Sequence, residues 1–150
     1  MRLSASHLGR RLAAIGISAA LLLPVIGVAP VAGCTEGCTP GYWKNHTDMW
    51  PAPYTTGMSV YAAGFRFPGA SGITMLEALQ GGGGPGLPGA RLILIRAAVA
   101  ALLNAEALDA MMPGTVVYNA NEHFASLDRA TMIAQAEAFD EINNLYCPLN

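Results

Sequence analysis

Residues Ala90 to Ala110 read as one helix with almost no polar face. Leu92, Ile93, Leu94, Ile95, Val99, Leu102 and Leu103 spread around it. A helix that is apolar on all sides has to be buried. Arg91, Arg96 and Asn104 interrupt the run, and an arginine in mid-span is costly in a bilayer. The segment is therefore expected as the hub of a protein core, with the other elements packed around it. Arg96 is expected to reach a carboxylate or a carbonyl at the rim.

The flanking segments supply partners for that hub. Thr39-Pro40 is a helix start, a hydroxyl N-cap followed by proline at the first helical position. Pro40 to His46 then makes one or two helical turns. Pro51 and Pro53 stop regular structure. Residues 54–72 read as irregular chain that packs its aromatics onto the core, with room for a short hairpin. Thr74-Met75-Leu76-Glu77 is a capping box that opens a short helix over 75–80. Six glycines and two prolines between Gly81 and Gly89 make a loop. No Gly-Lys-Ser/Thr follows, so it is not a phosphate loop. Pro113-Gly114 reads as a turn and Thr115 to Tyr118 as a short extended segment. Ser126 is the expected N-cap of a last helix running to Asn144, with Asp128 in its first turn. Met132, Ala136, Phe139, Ile142 and Tyr146 form its inward stripe; Glu137, Asp140, Glu141 and Asn144 populate the rest. The expected fold is mostly α: a single domain of about three main helices with an irregular, aromatic-rich N-terminal third.

The first 33 residues have a different character. Arg2, Arg10 and Arg11 precede an apolar run from Leu12 to Val28, and small residues follow. This is the pattern of a secretory signal over 1–33. An uncleaved membrane anchor is the competing reading; Pro24, Gly27 and Pro30 weaken it by interrupting a helix near its end. Val31-Ala32-Gly33-Cys34 resembles a bacterial lipobox. That resemblance implies lipidation of Cys34, a short tether over 34–37 and an exported domain over 38–150. Ordinary cleavage after Ala32 would instead release a free secreted protein.

Past residue 33 the chain holds 5 basic and 10 acidic residues, a net charge of −5. The basic footprint of a nucleic-acid binder is missing, and apolar content excludes a disordered chain. Three cysteines leave one over after any disulfide. If Cys34 is acylated, Cys38 pairs with Cys147. The competing arrangement joins Cys34 to Cys38 and leaves Cys147 free. A site of three sulfurs on one metal is a third arrangement, with no histidine at finger spacing to support it.

Cys38-Thr39-Pro40-Gly41-Tyr42-Trp43-Lys44-Asn45-His46 is the distinctive string. It resembles a family of exported bacterial domains marked by C-T-P-G-[YF]-W-K-N-H. The similarity continues through Trp50, Leu76 to Leu79, Ile95 to Ala105, Asn143-Asn144 and Cys147-Pro148-Leu149. The family occurs on exported and cell-surface proteins and has no established biochemical activity. Its terminal cysteine supports a Cys38–Cys147 bridge.

The candidate ligand-binding residues are Tyr42, Trp43, Lys44, His46 and Trp50. Tyr42, Trp43 and Trp50 would suit a sugar-stacking platform; the competing reading makes them core, where large aromatics dominate burial. Lys44 would lie over an aromatic face or stand in solvent. His46 and Asp48 with Glu122 and His123 would make a weak metal site; otherwise His46 is bonded within its own loop. Ser59, Ser71 and Ser126 lack a Gly-x-Ser-x-Gly elbow. No catalytic residue, metal or cofactor is assigned. The expectation is an exported, lipid-anchored cell-envelope domain with a structural or binding role. Its partners would be the membrane and a cell-surface glycan or envelope protein, with no nucleic acid. A secreted glycan or small-ligand binding module and a small metal-dependent hydrolase are the alternatives.

Overall fold

The hub helix, Gly86–Leu108, meets four other helices and is the element around which the chain is arranged. The computed structural model describes residues 36–149; the signal segment and Cys34 lie outside them. In chain order the helices are α1 (Pro40–Asn45), α2 (Met75–Gln80), α3 (Gly86–Leu108), α4 (Pro113–Ala125) and α5 (Arg129–Asn143). Two 3₁₀ turns, at Thr47–Met49 and Ala70–Gly72, complete the regular structure. The mostly α expectation holds. Cys38 and Cys147 form the long-range disulfide, 109 residues apart.

α3 is long and apolar enough to cross a membrane by length and composition. Here its apolar surface is taken up by protein. Leu94, Ile95 and every residue from Ala97 to Ala105 are buried. The alanines at 97, 98, 100, 101 and 105 leave room for close helix neighbours, and α5 and α4 pack along them. The helix starts four residues earlier than expected. Pro88 falls in its first turn, where a missing N–H breaks no helical bond. A Cβ on Gly89 would overlap the Gly84 carbonyl, so that turn requires glycine.

Three local expectations are corrected. Residues 115–118 are helical, not extended: α4 begins with Pro113 at its first position. Val116, Ala120 and Phe124 recur every four residues and are buried against the hub. That stripe overrides the weak helix propensity of Thr115-Val116-Val117. Ser126 ends α4 rather than starting α5; its backbone N–H donates to the Glu122 carbonyl. The N-cap of α5 is Asp128, which accepts from the N–H groups of Ala130 (3.3 Å) and Thr131 (3.1 Å). Finally, the inward stripe of α5 is Met132, Ala136, Phe139 and Asn143. Ile142 is half-buried, and Tyr146 lies beyond the helix end and is 74% exposed.

Residues 54–72 are irregular as expected. Val60, Phe65 and Ala70 are buried, and the Phe67 ring packs on Phe124 with centroids 4.6 Å apart. A single antiparallel bridge between Ser59 and Thr74 stands where a hairpin was considered. Asn121 on α4 holds this segment. Its side chain accepts from the Arg66 N–H (2.7 Å) and donates to the Gly64 carbonyl (3.0 Å).

The capping box of α2 is complete. The Glu77 carboxylate accepts from the Thr74 backbone N–H and hydroxyl, and Thr74 Oγ1 accepts from the Glu77 N–H. The backbone bond first, and the hydroxyl bond second, hold the Glu77 pKa below its ordinary value of 4.5. A lowered folded pKa means the carboxylate's contribution is complete above pH 4.5. It is lost as pH falls through the lower folded value. Melting curves from neutral to acid pH should therefore show Glu77→Gln less stable than the parent at pH 7. The gap should close on the acid side; a constant gap would mean that ionisation of Glu77 does not matter.

Candidate functional site

Asn104 and Asn143 are the buried polar side chains among the described residues, and they touch. Asn104 Oδ1 accepts from the Cys38 N–H (2.8 Å) and from Trp43 Nε1–H (3.0 Å). Its Nδ2 donates to the Cys38 carbonyl (2.9 Å) and to Asn143 Oδ1 (2.9 Å). Both lone pairs and both protons of the amide are therefore used. Asn143 Nδ2 passes the chain on to the Ala97 carbonyl (3.0 Å) and to Asp140 Oδ1 (3.3 Å). One side chain on α3 thus pairs with the backbone of Cys38 as a neighbouring strand would. It also fixes the indole of Trp43 and links both to α5.

The rest of the string from Cys38 to His46 is tied around this amide. Thr39 caps α1 by accepting from the Tyr42 N–H, as expected. Trp43 is wholly buried. Trp50 is half-buried, and its Nε1–H donates to the Trp43 carbonyl (2.9 Å). The Tyr42 hydroxyl donates to the Leu149 carbonyl (3.0 Å). His46 stacks on the Tyr42 ring with centroids 4.1 Å apart, and its Nδ1 meets the Tyr42 carbonyl at 2.9 Å. A carbonyl only accepts, so this nitrogen carries the proton. The disulfide closes the same region, with Cα atoms 4.7 Å apart. Glu36 and Gly37, expected as tether, already belong to the fold. Glu36 bridges Tyr146, and the Gly37 N–H donates to the Tyr146 carbonyl (2.9 Å). A Cβ on Gly37 would overlap the Ile142 carbonyl, so the chain passes α5 only as glycine.

The five candidate ligand residues therefore divide. Tyr42 and Trp43 are core, and Trp43 offers no face to a sugar. Trp50 is held from behind. Lys44 and His46 are exposed. Lys44 lies over no ring; the cation–π pair among the described residues is Arg66 over Tyr61, at 4.1 Å. No three His, Cys, Asp or Glu side chains among the described residues come together as a metal site. His123 Nδ1 meets the Asn119 carbonyl (2.8 Å) within α4.

A polar cavity of about 260 Å³ shares Asp140 with this Asn104–Asn143 network, the clamp on Cys38 and Trp43. α1 contributes Gly41 and Lys44, α2 Leu79, α3 Arg96, and the end of α5 Asp140 and Asn144. Arg96 differs from expectation. Its Nε is buried and meets no acceptor among the described residues, neither a carboxylate nor a carbonyl. The periodicity of α3 marks Arg96 as an anomaly in an apolar run. The cavity itself needs four elements to meet, and no local pattern encodes that.

Compared with known proteins, the chain matches no family model, no curated sequence and no solved structure.

Proposed function

We propose that the chain is an exported cell-envelope protein, held on the membrane by a lipid on Cys34, whose domain has a non-catalytic structural or binding role. The pairing of Cys38 with Cys147 carries this reading. It uses two of the three cysteines of the sequence, and the third, Cys34, falls at the position where the string resembles a lipobox. A disulfide of this kind suits the oxidising space outside the cytoplasm. Four chain steps separate Cys34 from Cys38, a reach of at most about 14 Å. The pole of the domain that carries the disulfide would then ride close to the bilayer.

The non-catalytic half rests on what the signature residues do. Cys38, Thr39, Tyr42, Trp43 and His46 are each engaged in holding the fold. The binding half rests on the Arg96 cavity. Metabolic labelling of the native host with an alkyne fatty acid tests the anchor. The parent should carry the label and Cys34→Ser should not. Unlabelled parent protein in the culture medium would establish ordinary secretion instead.

A further inference from the structure

We propose that the cavity between α1, α3 and α5 binds a small, singly charged phosphodiester that carries its own ammonium or hydroxyl donor. Arg96 lines the cavity, and its guanidinium makes no hydrogen bond or ion pair among the described residues, so the nitrogens beyond its buried Nε remain available to an oxyanion. Lys44, from a different helix, brings a second cation to the same space, and its side chain makes no hydrogen bond or ion pair among the described residues. Two separate cations suit a tetrahedral phosphodiester, whose single charge is shared by two non-bridging oxygens. A planar carboxylate is satisfied by one guanidinium alone.

Asp140 and Asn144 also line the cavity, one turn apart at the end of α5. Asn144 Nδ2 donates to the Asp140 carbonyl, so its oxygen is the atom left to accept. The Asp140 carboxylate takes one long bond from Asn143 (3.3 Å) and keeps acceptor capacity. This wall therefore asks for a donor on the ligand. With Lys44, Arg96 and Asp140 together the lining carries one net positive charge, which favours a monoanion over a dianion. About 260 Å³ is below the size of a drug-like site and suits a headgroup-sized molecule.

The chemistry is shared by phospholipid headgroups and by free glycerophosphodiesters. Gly41 and Asn144 each lie three residues from a disulfide cysteine, so the cavity belongs to the pole nearest the proposed anchor. The binding itself does not depend on acylation of Cys34.

The test is a titration of the ¹⁵N-labelled full chain in neutral detergent, following the Arg96 Nε–H resonance. Glycerophosphoethanolamine should shift it saturably, and dimethyl phosphate, which has no donor, should bind about tenfold more weakly. Asp140→Asn should reduce that preference to about twofold, and Lys44→Gln should weaken both probes, with the remaining resonances native. In nanodiscs, a shift with phosphatidylethanolamine identifies the lipid as the source. A shift with the soluble probe alone identifies a free ligand. No saturable shift, an equal shift with sodium chloride at matched ionic strength, or equal binding of glycine would overturn the assignment. Such a failure would leave the fatty-acid labelling result at Cys34 untouched.

Discussion

Asn104→Leu should lower the stability of the domain by about 3–5 kcal/mol, the largest effect expected of any single side chain. Leucine shares the branch at Cγ and is the larger side chain, so no cavity is created and some crowding adds to the loss. What is lost is hydrogen bonding. The Cys38 N–H and carbonyl, the Trp43 indole N–H and Asn143 Oδ1 all lose their partner in a dry interior. Each buried group left unsatisfied costs about 1–3 kcal/mol. Partial release of the Cys38 segment toward water caps the sum. Urea denaturation gives the stability change, and a red shift of native-state tryptophan emission would report the loosened Trp43 pocket. Asn143→Leu orphans fewer groups and should cost about 1–3 kcal/mol. The double variant should fall short of the sum, because both side chains serve one network. A parent-like midpoint for Asn104→Leu would mean the clamp does not stabilise the fold.

Removing the disulfide should have an effect of similar size by a different route. Its two cysteines are 109 residues apart. Opening a loop of that length restores chain entropy to the unfolded state, worth roughly 4–5 kcal/mol. Whole domains are stable by only about 5–15 kcal/mol. The Cys38→Ala/Cys147→Ala variant, measured by thermal or urea unfolding, should therefore be marginal. Reductant should move the parent to the same midpoint. Combining this pair with Asn104→Leu should lose less than the two losses added, since both devices fasten residue 38. Full additivity would separate the clamp from the staple.

Legibility in the sequence followed the range of the interaction. Thr39-Pro40 and Thr74-x-x-Glu77 start α1 and α2 through bonds within one turn, and both were readable. The apolar surface of α3 announced its burial before any partner was known. α4 was missed because Thr115-Val116-Val117 is locally β-like. Only the stripe of Val116, Ala120 and Phe124 meeting α3 makes it helical. Ser126 misled because serine suits either end of a helix junction, while Asp128 offered two oxygens to the waiting N–H groups. Asn104 was visible only as an interruption of α3. Its importance comes from Cys38 and Trp43, 66 and 61 residues away. The same holds for the cavity: Arg96 stood out locally, but Lys44, Asp140 and Asn144 reach it only through tertiary packing.

Intact mass of the protein extracted from its own host, with and without reductant, tests anchoring and stapling together. The expected species begins at Cys34, carries added acyl mass, and gains the mass of one pair of hydrogens on reduction. A species that begins at Gly33 without lipid would contradict the anchor, and one whose mass does not change on reduction would contradict the Cys38–Cys147 staple.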